Sequence, residues 1–501
     1  MNRKYIFILI ILHLAIVLPL AYLLNIWMDE ASTLHTTERG IFYALQHAAA
    51  DEKQAPLYFY ILSLWRALNH SIFFARLFSI FCGAFSIKLF YDAARGFFDE
   101  NATKFIAAIF ALHPALIWAS LEIRVYALVI LLTILLLKLF FETYLETESL
   151  TDRRRKKEIL YIALAVFALY TNYYLGFVLV GNFCALLAVK KFQKAKTYFW
   201  QMLVVGACLL PLGWIIKEQF AANTGGFQSD ISAFEGFKII WWHLLNFVLP
   251  IGFPPLEEKS AIFIARIWAA RAGILILLLL SAKNKFCVLA DEKIKIFAAM
   301  TAAICLLLLG FYFFVGTDYV APRHALPLFA PLVLLAFSIF IKLLPRRSWI
   351  ICALVFAFLF SYSLCKQYAP LAKRGDWIRV AKFIETHEKP NQPIIVFQNF
   401  DALSLPYYYH GANKILPDKN FFAWSYEDSV KSENALEKQT EFVISQIPPD
   451  APEIWLATEE LCQNEKSATA CAPLENFVEA NYTTVITQDF YKERVRLLRK
   501  R

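Results

Sequence analysis

The sequence predicts an α-helical polytopic membrane protein that carries a small C-terminal extracytoplasmic α/β domain. Three observations predict it. The chain has 501 residues, is 59% hydrophobic and has a mean hydropathy of +0.49, and its apolar residues recur in runs long enough to cross a bilayer. Charged residues make up only 18% of the chain and cluster between those runs. From about Lys366 the long runs stop, and polar, proline-containing, alternating patterns replace them.

Taken in order, Tyr5–Leu24 reads as an uncleaved anchor: it follows Arg3-Lys4, is long enough to span, and lacks a small-residue cleavage site. An outer loop over residues 25–70 follows, with a semi-apolar stretch at Pro56–Leu68 that re-enters or lies on the surface. The next expected spans are Ile72–Tyr91, Phe105–Ala119, Tyr126–Tyr144, Ile159–Tyr170, Leu175–Val189 and Tyr198–Ile216. A second outer loop, 217–259, holds an aromatic, interfacial stretch at Phe234–Leu249. Ala261–Ser281, Ile296–Val315, Leu326–Leu343 and Trp349–Cys365 complete about eleven spans. The membrane domain is thus 1–365, and 366–501 forms the second domain.

Charge sets the expected sidedness. With the N-terminus inside, the inner loops carry Arg95 and Lys104, Arg153 to Lys157, Lys190 to Lys196, Lys283 and Lys285, and Arg346-Arg347. Each is basic, as orientation by positive charge requires. The same assignment puts the first outer loop, the 217–259 loop and the tail outside a plasma membrane. The formal net charge of +9 reads as topology, and no basic stripe with interleaved aromatics points to nucleic acid.

In the tail, Asp376–His387 reads as an amphipathic helix capped by Asp376, and Ser429–Ile447 as a second helix. Pro393–Phe397, Glu453–Ala457, Thr483–Thr487 and Arg494–Leu498 read as strands. Of nine cysteines, Cys82, Cys184, Cys208, Cys287, Cys305, Cys352 and Cys365 sit in or beside apolar runs as fillers. Cys462 and Cys471 lie in the polar tail and are a candidate disulfide across a short loop; two free thiols are the alternative.

The chain has no Walker A pattern, G-x-G-x-x-G, H-E-x-x-H, D-x-D or Cys/His cluster with metal spacing. An activated substrate for an enzyme of this kind would arrive through the membrane. Asp29-Glu30, in Trp27-Met28-Asp29-Glu30-Ala31, is either a solvated helix end or a general base or metal ligand at the outer face. Lys53 is a candidate neighbour that would tune it. In Glu122-Ile123-Arg124-Val125-Tyr126, Glu122 and Tyr126 are four apart and would share a helix face. Arg124 is a structural ion-pair partner or, through its forked guanidinium, a phosphate ligand. Arg323-His324 at another outer edge reads as a snorkelling arginine or a lipid-phosphate site. His113 before Pro114 reads as a structural histidine, and Tyr407-Tyr408-Tyr409 as packing.

These residues carry a resemblance. The acidic pair after the first span, Leu57-Tyr58 late in the first outer loop, the E-x-R-x-Y segment, Arg323 before Leu326-Pro327, and Arg374-Gly375-Asp376-Trp377 resemble the GT-C membrane glycosyltransferases. The similarity is to the family 39-like group, the protein mannosyltransferase and aminoarabinose transferase superfamily. It covers nearly the whole membrane part and the junction to the tail. Where that family shows H-P-P-L-Y, this chain has Gln54-Ala55-Pro56-Leu57-Tyr58, so a role of that histidine is missing or moved. The resemblance implies a polyprenyl-phosphate-linked sugar donor and an acceptor in the cell envelope. It implies Asp29 as base, Glu30 orienting it or the acceptor, and Lys53, Tyr58, Glu122, Arg124, Tyr126, Arg323 and His324 around the donor. A divalent metal beside the acidic pair is compatible with it, although no ligand set is legible. A transporter or lipid-glycan flippase, and a non-catalytic assembly component, are the other readings; no internal repeat favours the transporter.

Overall fold

The computed structural model describes residues 3–50, 52, 54–145, 152–223, 233–250, 268, 291–315, 320–397, 403–417, 435–459, 462 and 468–501. The chain divides into two compact units: residues 1–22 with 36–367, and residues 23–35 with 368–501. The start of the first expected outer loop therefore groups with the tail rather than with the helical unit.

The helical unit contains α1 (Arg3–Leu23), then, after α2 (Met28–Thr36), α3 (Ile41–Ala50), α4 (Leu57–Arg66), α5 (Ile72–Ala94), α6 (Glu100–Leu112), α7 (Pro114–Leu121) and α8 (Tyr126–Phe140). A π-helical turn, Phe141–Leu145, extends α8, and α9 (Asp152–Thr171), α10 (Leu175–Ala188), α11 (Phe192–Cys208) and α12 (Leu210–Asn223) follow. Further along are α13 (Ala233–Val248), α14 (Glu292–Val315), α15 (Leu326–Leu343) and α16 (Ser348–Tyr368). Tyr126 through Ile134 of α8 are buried without interruption, so this helix is apolar and enclosed on all sides. It packs on α5, α9, α10 and α15.

Among the described residues six helices are long and apolar enough to cross a membrane, or eight if each of two bent pairs is one span. The chain is a multi-pass membrane protein. The count differs from the expected eleven for identifiable reasons. Ala261–Ser281, apart from Trp268, lies outside the described residues. The α10 segment is a shorter apolar helix. The helix over Ile159–Tyr170 begins earlier, at Asp152, so it takes in the basic run. Phe105–Ala119 and Tyr198–Ile216 are broken, by 44° between α6 and α7 and 63° between α11 and α12.

Pro114 explains the first break: it has no N–H to donate back to Phe110. His113 caps α7, its Nδ1 accepting from Ala115 N at 3.0 Å. The carbonyl of Ala111, released by the break, accepts from His13 Nδ1 at 2.8 Å. At the second break the proline is Pro211, in the first turn of α12.

The described parts of the 217–259 segment are helical except for Leu249 and Pro250. Its start continues α12 to Asn223, and Ala233–Val248 is a helix of its own. Ile240, His243, Asn246 and Phe247 make a buried stripe on α13, while Phe234, Phe237 and Trp241 are exposed. The exposed aromatics of this stretch thus belong to one face only.

In the second unit α17 (Trp377–His387) is capped by Asp376, whose side chain accepts from Arg379 N. A five-stranded sheet has the order β2-β1-β3-β5-β4: β1 (Ile394–Phe397), β2 (Ile415–Leu416), β3 (Glu453–Glu459), β4 (Tyr482–Phe490) and β5 (Glu493–Lys500). β1 pairs in parallel with β2 and β3, and β5 runs antiparallel to β3 and β4. Strand alternation sends Ile394, Val396, Trp455 and Ala457 to one core with α17. Ile395, Phe397, Ile454 and Leu456 go to the other, with α18 (Ala435–Ser445) and α19 (Ala468–Asn481). Because both faces are covered, β1 is buried throughout. Cys462 and Cys471 are joined in a disulfide beside the second core.

Candidate functional site

The two adjacent carboxylates have different surroundings. Both open α2, where negative charge favours the helix N-terminus. Glu30 is fully buried (0%) and its Oε2 accepts from Lys373 Nζ at 3.0 Å, the lysine side chain being 4% exposed. Asp29 is half-buried. The segment ahead of the pair is clamped: Lys373 N donates to Asn25 Oδ1 at 2.8 Å, and Asn25 Nδ2 donates to the Lys373 carbonyl at 3.1 Å. Ile26 N donates to Tyr408 Oη at 2.6 Å. The Arg374 guanidinium lies 3.9 Å from the centre of the Trp27 ring. Gly375 makes the reversal there, with φ +139°, and a Cβ at this position would collide with Glu493 Oε1.

In the helical unit Arg124 sits between α7 and α8. Its Nη1 donates to Glu52 Oε2 at 2.6 Å, the side chains being 7% and 3% exposed. Glu122 follows the last turn of α7 with extended backbone, and α8 begins only at Tyr126. The expected helix face shared by Glu122 and Tyr126 is therefore not formed. Glu122 is buried and its carbonyl accepts from Ser79 Oγ at 2.7 Å. Tyr126 is buried with its ring stacked on Trp118. The Tyr58 hydroxyl is buried without a hydrogen-bond partner among the described residues. It lies in electrostatic range of Arg124, Glu52 and Tyr126. Lys53 lies outside the described residues.

Arg323 and His324 are half-buried in the turn before α15, with Arg323 Nε 3.4 Å from His324 Nε2. The His324 ring stacks on Tyr174 at 4.8 Å. Next to Tyr174, the Tyr173 hydroxyl donates to Gln219 Oε1 at 3.3 Å. Gln219 Nε2 in turn donates to the carbonyls of Ala49 and Gln54, at 3.2 and 3.3 Å. A continuous set of contacts thus runs from the Arg323 turn to both ends of the loop bearing Glu52.

Sequence reasoning missed Glu52, Gln219, Tyr173, Tyr174 and Lys373. Only Glu52, in the short charged run Asp51-Glu52-Lys53 between apolar stretches, carried a signal of its own. Among the described residues no group of three or more His, Cys, Asp or Glu is placed to hold a metal ion.

These features define a multi-pass helical membrane protein with an α/β unit. The helical unit holds a buried Arg–Glu pair, and the other unit holds a buried Lys–Glu pair next in sequence to a half-buried aspartate. No protein-family model matches the chain. No curated protein matches it either. Among solved structures it is similar to ArnT from Cupriavidus metallidurans bound to undecaprenyl phosphate, with a TM-score of 0.47, 12% identity, and 99% of this chain and 98% of that chain covered. The apo state of the same protein gives a TM-score of 0.44 at 12% identity, covering 97% of each chain. The Archaeoglobus fulgidus oligosaccharyltransferase in the apo form gives 0.46 at 12% identity, covering 98% of this chain and 75% of that one.

Proposed function

We propose that the protein is a glycosyltransferase that moves a sugar from a polyprenyl-phosphate donor to an acceptor hydroxyl at the outer face of the plasma membrane. The observation that carries this reading is the separate fate of the two carboxylates. Glu30 is fully buried in its ion pair with Lys373, and Asp29 next to it is half-buried, with part of its surface open to solvent. The order of motifs set out from the sequence supports the donor class. In this reading the N-terminus is cytoplasmic and the tail unit lies outside, where nucleotide sugars are not supplied.

Asp29 takes the proton of the acceptor hydroxyl as its oxygen bonds to the anomeric carbon. The bond from that carbon to the phosphate oxygen breaks, and the electron pair leaves with the polyprenyl phosphate. A single displacement of this kind inverts the anomeric centre. The leaving phosphate needs charge stabilisation more than protonation, a task for Arg124, Arg323 and Lys53. Tyr58, with its buried hydroxyl, is a further donor toward that charge.

The test is sugar release from a radiolabelled polyprenyl-phosphate hexose, with and without membrane extract as acceptor source. Asp29→Asn is expected to lower transfer by roughly 10²–10⁴-fold with folding intact, the usual contribution of a general base. Wild-type transfer by that variant removes Asp29 from the role.

A second reading is a transporter or lipid-linked glycan flippase. The two bent helix pairs favour it, since broken helices line substrate paths in transporters. Movement of the labelled lipid between leaflets without cleavage of the sugar–phosphate bond would decide for it.

A further inference from the structure

We propose that Lys373 is a positioning residue for Asp29, acting through Glu30. The inference rests on the reading of Asp29 as the base and adds the group that aims it. Successive residues of an α-helix point about 100° apart around the axis. Pinning Glu30 inward therefore sets the direction in which Asp29 leaves the first turn of α2.

Lys373 does the pinning from two sides. Its ammonium holds Glu30 at 3.0 Å, while its backbone N–H and carbonyl exchange hydrogen bonds with Asn25 at 2.8 and 3.1 Å. The same residue thus grips the chain before and after Trp27, which Arg374 covers. The left-handed backbone at Arg374 (φ +44°) and Gly375 (φ +139°) turns the chain away immediately afterwards. Glu30, buried in its ion pair, is engaged as an anchor, and Asp29 is the member of the acidic pair that keeps access to solvent.

Lys373→Met and Lys373→Arg test this, using transfer from a radiolabelled polyprenyl-phosphate hexose with membrane extract as acceptor. Misplacing a reacting group by about 1 Å can cost roughly 10²-fold, so kcat of Lys373→Met is expected to fall by about that factor while donor KM stays unchanged. Lys373→Arg keeps the charge and is expected to recover most of the loss. Wild-type kcat in Lys373→Met, equal loss in both variants, or a change confined to donor KM overturns the proposal.

Removing one partner of a buried ion pair can unfold a protein, whereas replacing both by apolar residues is often neutral. Glu30→Leu with Lys373→Met therefore supplies a folded control, checked by thermal unfolding. It is expected to fold and still turn over slowly; wild-type kcat in this folded double variant overturns the proposal. Asp29→Asn separates the two levels. If it is active, the reading of Asp29 as base fails; if it is inactive while Lys373→Met is at wild-type rate, the positioning role alone fails.

Discussion

Arg124 Nη1 lies 2.6 Å from Glu52 Oε2, and both side chains are buried. A buried guanidinium already neutralised by a carboxylate cannot also hold a phosphate without a surplus of negative charge. In the proposed function the donor phosphate therefore competes with Glu52. Glu52→Gln is expected to tighten binding of plain polyprenyl phosphate by about tenfold, equivalent to about 1.4 kcal/mol. Arg124→Gln is expected to weaken it. Equilibrium binding with labelled lipid measures both, and unchanged affinity in Arg124→Gln removes that residue from the phosphate site.

Gln219 holds the loop that bears Glu52 by its two ends. Gln219→Leu leaves the part-buried carbonyls of Ala49 and Gln54 without this donor, at a cost of about 1 kcal/mol, the low end of the penalty for unsatisfied groups. The expected outcome is faster amide exchange across residues 49–54 and, because a loosened Glu52 competes less for Arg124, a several-fold tighter binding of polyprenyl phosphate. Hydrogen-exchange mass spectrometry checks the first, and the same binding assay the second.

Asp376 gives a pH dependence in the tail unit. Burial holds its carboxyl above the ordinary value of 3.8, outweighing the attraction of Arg379. A raised folded pKa means that the folded state binds the proton more tightly than the unfolded chain. The contribution is complete below about 3.8 and is lost as pH rises through the raised value. Asn caps a helix as well as Asp and does not titrate. Asp376→Asn is therefore expected to gain stability relative to the native chain as pH rises from about 4, read by urea unfolding with tryptophan fluorescence.

The Cys462–Cys471 bond closes a loop of sequence separation 9. On the chain-entropy scale a loop that short stabilises by about 2–3 kcal/mol. Cys471→Ser is expected to lower the stability of the full chain by that order in denaturant unfolding. Peptide mapping without reductant is expected to recover the two cysteines linked; recovery of both as free thiols counts against the bond.

Several elements were legible in the sequence because their signal is local. The apolar run at Leu326–Leu343 is a helix with those same ends. The cap at Asp376 and the strands around Ile394, Glu453 and Arg494 also follow from short-range pattern and turn chemistry. The breaks at Pro114 and Pro211 were visible as prolines, but their angles depend on which neighbour takes the released carbonyls. The short strand Ile415–Leu416 and the helix Ala468–Asn481 were not legible, since their burial is set by partners distant in the chain.

The sequence by itself determined that this is a multi-span chain with a polar tail, that an acidic pair follows the first apolar run, and which charges are available for chemistry. Hydrophobic runs and charge spacing are properties of neighbouring residues, so they can be read along the chain. Tertiary structure alone decided which charges are matched. Glu30 meets Lys373 across 343 positions and Arg124 meets Glu52 across 72. Whether a carboxylate is an anchor or a reactive group depends on desolvation and on the partner opposite it. Both are set when distant segments close around it.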